Sequence, residues 1–256
     1  MMDTSVSYDK ILSYRILNNR TLKVLEQTDI YGYDAERYDL LVSREDYQQN
    51  ILPALRQITS LEGMDVVESG AGTGRLTCLL APVVKSMRAF DASPHMLALA
   101  NAKLNASGLN NWSTQTADHR RLPVEERSVD VAISGWSVCY LVEAQSPDWR
   151  QSVMDALGEM QRLLRPGGVT ILLETQGTGF ETPHPPVHLI EYYRLLDQLE
   201  FASTWIRTDY RFASPSEAVE LARFFFGEAL AEQVKASGEV ILPECTGLWW
   251  RKRGTL

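Results

Sequence analysis

Between residues 66 and 75 an apolar pair, Val66-Val67, runs into Glu68 and then into Ser69-Gly70-Ala71-Gly72-Thr73-Gly74-Arg75, after which helix-like sequence begins. An apolar run, a tight glycine turn and a helix start make one kind of chemistry available. Glycine lets the backbone approach a ligand closely, and the first turn of a helix offers N–H groups that lack partners. The pattern is that of a nucleotide-type cofactor site, set against the plain alternative of a glycine-rich βα turn with no ligand. Two cofactor classes use such a turn. The dinucleotide fingerprint is G-x-G-x-x-G. Here its third place holds the bulky Arg75, and the third glycine, Gly74, comes one residue early. Farther along, His184 and His188 flank Pro185-Pro186-Val187. The prolines oppose a helix, so this spacing is not the helical metal-binding pair, and no metal is expected. With Glu174 and Tyr140, these two histidines are the candidates for a general base, or for orienting a substrate.

The elements that must position these groups follow from periodicity and punctuation. Residues 4–28 carry apolar positions at helical spacing, among them Ile11, Leu12, Ile16, Leu17, Leu22, Val24 and Leu25. A turn rich in tyrosine follows (Tyr31, Tyr33, Tyr38). Ser43 with Asp46 reads as a capping box that opens a second helix through Ile58, kinked at Pro53. Residues 1–60 are therefore expected to form an N-terminal helical cap, with Tyr33 placed to reach a substrate. Residues 61–256 are expected to form the main domain. Strands are expected at Asp65–Ser69, Met87–Phe90, Ser113–Thr116, Val129–Ser134 and Val169–Glu174, each followed by helix or turn signals. Ser93-Pro94 opens a helix that Gly108 ends, and Ser146-Pro147 opens one that ends near Leu164. Arg165-Pro166-Gly167-Gly168 is a turn. Residues 177–200 read as a lid-like insertion, in which a loop rich in Gly, Pro and Thr precedes a helix. Phe201–Phe212 is strand-like, Ser214-Pro215-Ser216-Glu217 caps a helix reaching Lys235, and Val240–Arg251 is the last strand. Repeated strand–helix units with short loops predict an α/β fold. Its seven-stranded sheet is mostly parallel with one late antiparallel strand, and helices cover both faces. The late aromatics, from Tyr192 to Trp250, are expected mostly in the core.

Composition narrows the function classes. The chain has 256 residues, 45% of them hydrophobic and 23% charged, with a formal net charge of −8. That length can bury one substantial core. An acidic surface disfavours broad contact with phosphates, so nucleic acid is an unfavoured partner and a small molecule the expected one. Asp3, Asp9 and Lys10 interrupt the start, no apolar segment of signal-peptide type follows, and no run approaches a bilayer-spanning length. Cys78, Cys139 and Cys245 are odd in number and far apart, which argues against a disulfide framework or a zinc cluster. These features suit a cytoplasmic monomer or homodimer.

A carboxylate two residues before G-x-G-x-G resembles the first motif of class I S-adenosylmethionine-dependent methyltransferases. Three further signals come in register with it. Phe90-Asp91-Ala92-Ser93 ends the second strand about 20 residues past the first glycine, the separation at which an acid meets a ribose in related folds. Ala117-Asp118 follows the third strand. Leu122-Pro123 through Tyr140, then Leu163 to Gly168, resembles the layout of the ubiquinone/menaquinone C-methyltransferase-like (type 11) branch. The resemblance covers roughly residues 60–176. It implies S-adenosylmethionine as cofactor and S-adenosylhomocysteine as product. In its terms Gly70, Ala71, Gly72 and Gly74 lie under the methionine part, and Glu68 accepts from the ammonium group. Asp91 with Ala92 takes the ribose hydroxyls, while Met96, Ala117 and Asp118 hold the adenine. Ser134 lies beside the cofactor, and Trp136 and Tyr140 wall the substrate. His119 reads as a surface or turn residue. The Asn/Asp-Pro-Pro-aromatic motif of amino-methylating nucleic-acid enzymes is missing after strand four, where Ser134-Gly135-Trp136 stands. The expected activity is methyl transfer to a small apolar or aromatic acceptor. The rivals are an NAD-dependent oxidoreductase and a non-catalytic S-adenosylmethionine-binding protein.

Overall fold

The computed structural model describes residues 34–143 and 147–254, together with the backbone of Tyr14–Ile16 (β1) and Lys23–Leu25 (β2). The latter two segments are extended and pair antiparallel, which corrects the helical reading of residues 4–28 at those positions. Alternating branched and polar residues suit a pleated strand as well as a helix, and short apolar runs do not separate the two. The remainder of that expected helix, with Tyr31 and Tyr33, lies outside the described residues.

The elements that follow are α1 (Ala35–Val42), α2 (Ile51–Ile58), β3 (Asp65–Ser69), α3 (Arg75–Leu80), β4 (Ser86–Asp91), α4 (Pro94–Ala106) and β5 (Trp112–Thr116). Then come β6 (Val129–Gly135), α5 (Tyr140–Glu143), α6 (Trp149–Leu163), β7 (Leu164–Thr178) and α7 (Ile190–Gln198). The chain finishes with β8 (Ala202–Arg207), β9 (Tyr210–Arg211), α8 (Pro215–Phe226), α9 (Glu228–Ser237), β10 (Ile241–Leu242) and β11 (Glu244–Lys252). Seven strands form one sheet in the order β5-β4-β3-β6-β7-β11-β8. All neighbours are parallel except at β11, which runs antiparallel to both β7 and β8. The five parallel strands therefore end on one edge, and the loops that leave β3, β4, β5, β6 and β7 converge there.

The described residues group into two compact units. In the larger, Asp46–Asp209 with Pro243 onward, strand alternation sends successive side chains to opposite faces. Val66, Val131, Ile133, Ile171 and Leu173 pack with Leu55 of α2, Leu76 and Leu80 of α3 and Leu104 of α4. Val67, Ala132 and Leu172 pack on the other face with Leu157 and Met160 of α6 and Tyr192 and Leu196 of α7. Each fully buried aliphatic side chain of this kind stabilises the fold by about 1.5–3 kcal/mol. In α6 the buried positions are Val153, Ala156, Leu157, Met160 and Leu163, one face at helical spacing. In the smaller unit, Leu41 of α1 shares a core with Tyr210, Phe212, Leu221, Ala222 and Val234. Of the late aromatics, Tyr192, Tyr193, Phe224 and Trp249 are buried, whereas Trp205 is exposed.

Local chemistry moves three boundaries. Asp46, at φ +56°, accepts from the N–H groups of Asn50 (2.7 Å) and Ile51 (3.1 Å), so it caps a helix that starts at Ile51 rather than one that starts at Ser43. Pro53 falls in the first turn of α2, where no intrahelical donor is needed, and the expected kink does not arise. The Ser214 box forms as read, with the Glu217 N–H donating to Ser214 Oγ (3.1 Å) and the Ala213 N–H to Glu217 Oε2 (2.6 Å). Its helix stops at Gly227, φ +93°, and restarts as α9. Residues 165–168 bulge out between the Val129–Leu164 and Val131–Val169 pairings. Among the described residues, no helix is long and apolar enough to cross a membrane.

Candidate active site

The turn after β3 is bonded to the end of β4. Gly70 and Ala71 N–H groups both donate to the Phe90 carbonyl, at 2.7 and 2.9 Å, and the Gly72 N–H donates to Asp91 Oδ2 at 2.7 Å. Gly70, Gly72 and Gly74 have φ of +79°, +53° and +86°, a region in which a side chain is strained. Two of them are also crowded. A Cβ on Gly74 would stand 2.9 Å from Ala100 Cβ of α4, and one on Gly70 would stand 1.9 Å from Ser137 Oγ. Over Gly72 a Cβ would meet only Met96 Cε, at 3.6 Å. The residue that lets helix and turn pack closely is therefore Gly74. That is the G-x-G-x-G spacing and not the dinucleotide one, and Arg75 is free to be large. Gly70→Ala is expected to destabilise the protein by about 2 kcal/mol or more, because clash and positive φ act together. A urea titration of the variant checks this, and an unchanged midpoint would contradict the packing described.

Asp91 occupies the carboxyl end of β4 and is half-buried. Its Oδ1 accepts from the Ser93 N–H (2.8 Å) and its Oδ2 from Gly72, so each oxygen keeps one more acceptor position for a ligand hydroxyl. Ser93 in turn caps α4 by accepting from the Met96 N–H at 3.3 Å. Glu68 is buried, and its Oε2 accepts from Thr77 Oγ1 at 2.5 Å. Burial pushes its carboxyl up to about 8, with Asp91 adding to the rise; Thr77 and Arg75 oppose it. Two hydroxyls, Thr73 Oγ1 in the turn and Ser134 Oγ in β6, are buried without a hydrogen-bond partner. An open glycine face, an acid with spare acceptor positions and two orphaned hydroxyls fit a polar nucleoside cofactor.

The other residues singled out from sequence divide into two groups. Ala92 is exposed and Met96 buried; the Ala117 N–H donates to the Asp91 carbonyl at 3.0 Å, which places that loop beside β4. Asp118 is held in a two-pronged pair by Arg120 (2.8 and 2.7 Å), which keeps its carboxyl down at about 2. Trp136 adopts φ +49°, and the Arg75 guanidinium lies 3.3 Å from its ring centroid. One face of this ring is therefore covered by protein. Tyr140 is half-buried beside the core. The base candidates differ in exposure, and the helix that Tyr140 opens packs against the Val187–Leu189 turn that carries His188. Glu174 is buried, and its Oε1 accepts from the Cys139 N–H and the Tyr192 hydroxyl, both at 3.1 Å. His184 is exposed and stacked on Phe180 at 4.1 Å, and His188 is exposed. Tyr33 lies outside the described residues. Among the described residues, no group of three or more His, Cys, Asp or Glu is placed to hold a metal.

His119 stands in a turn, as one half of its reading had it, and is half-buried rather than fully on the surface. Its Nδ1 is 2.7 Å from Ser69 Oγ and its Nε2 3.0 Å from Ser137 Oγ, and burial lowers its pKa. The signal was present in its position: His119 follows β5, and parallel strands end on one edge.

Comparison with known proteins agrees with this geometry. Residues 67–172 match the methyltransferase-domain family. Over those residues the chain is similar to a methyltransferase domain. A malonyl-[acyl-carrier protein] O-methyltransferase of Marinomonas sp. (strain MWYL1) is 31% identical over 140 residues, covering 54% of this chain and 47% of that protein. A demethylmenaquinone methyltransferase of Bacillus cytotoxicus is 27% identical over 153 residues, covering 57% and 61%. The chain thus matches about half to three-fifths of the length of these relatives. A SAM-dependent methyltransferase from Aquifex aeolicus has the same fold, with a TM-score of 0.53 at 16% identity, covering 84% of this chain and 96% of that one.

Proposed function

We propose that this protein transfers a methyl group from S-adenosylmethionine to a small apolar or aromatic acceptor by in-line displacement. The observation that carries the reading is Asp91. One carboxylate locks the glycine turn through Gly72 and the α4 start through Ser93, and it still presents acceptor positions at the carboxyl edge. In this reading Asp91 takes the ribose hydroxyls, the backbone of residues 70–74 holds the amino-acid tail, and Met96 and Ala117 flank the base. When bound, the donor supplies an activated methyl group together with its own leaving group. The chain's task is then to align and to exclude water. The loop that leaves β7 departs from the same edge and carries the exposed Phe180 (44%) and Val187 (84%), apolar surface suited to an apolar acceptor. His184 and His188 sit on that loop and are the groups proposed to take a proton from the acceptor where its chemistry requires one. Glu174 is proposed as a support, since it holds the segment after β6 to α7 through Cys139 and Tyr192. The net charge of −8 supports a small molecule over nucleic acid.

Calorimetric titration with S-adenosylhomocysteine and, separately, with NADH tests the cofactor. Saturable binding of the first and none of the second is expected; the reverse would overturn the reading. Methyl transfer is then read by mass spectrometry, with a labelled donor and an extract of small apolar metabolites. A protein that binds the cofactor but labels no acceptor class would favour a non-catalytic role.

A further inference from the structure

We infer that His119 is a positioning residue, a clasp whose two ring nitrogens tie together three loops of the cofactor cradle. The inference rests on the function proposed above. Ser69 ends β3 at the glycine turn, Ser137 lies two residues past β6, and His119 lies three residues past β5. The imidazole reaches Ser69 Oγ through Nδ1 (2.7 Å) and Ser137 Oγ through Nε2 (3.0 Å). This contact is not a loose surface bridge. A Cβ on Gly70 would meet Ser137 Oγ at 1.9 Å, Ser137 Cβ at 2.4 Å and His119 Cε1 at 2.7 Å, so ring and serine rest directly on the turn. One side of Gly70 is thereby filled by protein, while Gly72 keeps its open face.

The consequence concerns the next residue back. Asp118 and Ala117 belong to the same loop, and the Ala117 N–H already joins the Asp91 carbonyl. His119 adds the other two anchors. Between them the loop is fixed to β4, to the end of β3 and to the segment after β6. Neutral imidazole has one donor and one acceptor nitrogen, and each serine hydroxyl can play either part, so the bridge is satisfied in either tautomer. The charged groups around the ring are Asp91, Asp118 and Arg120. Removing the ring leaves two hydroxyls without their partner and frees the loop to move.

Substitution separates the two links. The amide of glutamine reaches the Nε2 position and that of asparagine the Nδ1 position, so each restores one link only. The test is S-adenosylhomocysteine affinity by calorimetry, with the thermal midpoint of each variant measured in parallel. His119→Ala is expected to bind about tenfold more weakly or worse. His119→Gln is expected to recover part of the loss, and that recovery is expected to vanish once Ser137→Ala is added. Unchanged affinity in His119→Ala overturns the clasp, as does a recovery by glutamine that survives Ser137→Ala. If His119→Ala does not fold, Ser69→Ala and Ser137→Ala decide: weaker binding in each supports the clasp, and unchanged binding in both overturns it. A wild-type protein that binds no S-adenosylhomocysteine refutes the proposed function instead, a result distinct from any of these.

Discussion

Asp91→Ala is expected to weaken S-adenosylhomocysteine binding by about a hundredfold and to lower stability by about 2–4 kcal/mol. The two losses have one origin. The carboxylate accepts from two backbone N–H groups, Gly72 at 2.7 Å and Ser93 at 2.8 Å, so it ties the glycine turn to the first turn of α4. Hydrogen bonds to a charged acceptor are worth roughly twice neutral ones. The affinity loss comes from the remaining acceptor positions, which in the proposed function meet the ribose hydroxyls. Asp91→Asn discriminates between the two effects. Its amide oxygen keeps one N–H bond, but its NH2 faces a second donor. Stability should therefore fall by less than in the alanine variant, while affinity falls nearly as far. Calorimetry and urea titration on both variants check this. Full affinity in Asp91→Ala would remove the ribose assignment.

Glu68→Gln is expected to flatten the pH dependence of stability. The folded carboxyl titrates near 8, raised chiefly by burial, whereas an unfolded glutamate titrates in the ordinary carboxylate range. Between those values the folded protein holds a proton that the unfolded chain has released. The stability linked to Glu68 is therefore fully present below the ordinary carboxylate range, and it declines as pH rises through about 8. The decline is about 5 kcal/mol at most. Glutamine keeps an acceptor for Thr77 but cannot ionise. Urea titrations from pH 5 to 9 should show the wild type losing stability toward alkaline pH and the variant losing far less. Parallel profiles would mean that the buried acid does not titrate as its surroundings require. Asp91 helps to raise Glu68, so Asp91→Ala should by itself make this decline end at lower pH, because an ionised Glu68 is then less opposed.

The βα succession of the main domain was legible because its signals are local. Ser93-Pro94 at a helix start, Ser214 with Glu217, and glycines at positive φ each act within a few residues of themselves. At Tyr14–Ile16 and Lys23–Leu25 the strands are not legible, because a three-residue strand has too few positions for its period to show. The start of α2 differs by several residues from the one its spacing predicts, for a related reason. Asp46 caps from four and five residues away, through a backbone at positive φ that no spacing rule anticipates.

By itself the sequence determined the parallel α/β order, the glycine turn and the acid at the end of β4. Hydrophobic period and turn chemistry dictate those elements, and parallel strands bring their ends to one edge. Only the tertiary structure decided which atoms meet on that edge. Ser69 and His119 are 50 residues apart in the chain, and Glu174 and Cys139 are 35 apart. Arg75 lies over Trp136, and residues 210–242 share a core with Leu41. Such contacts depend on how close the loops leaving neighbouring strands are brought by side-chain packing. Distance along the chain carries no record of that.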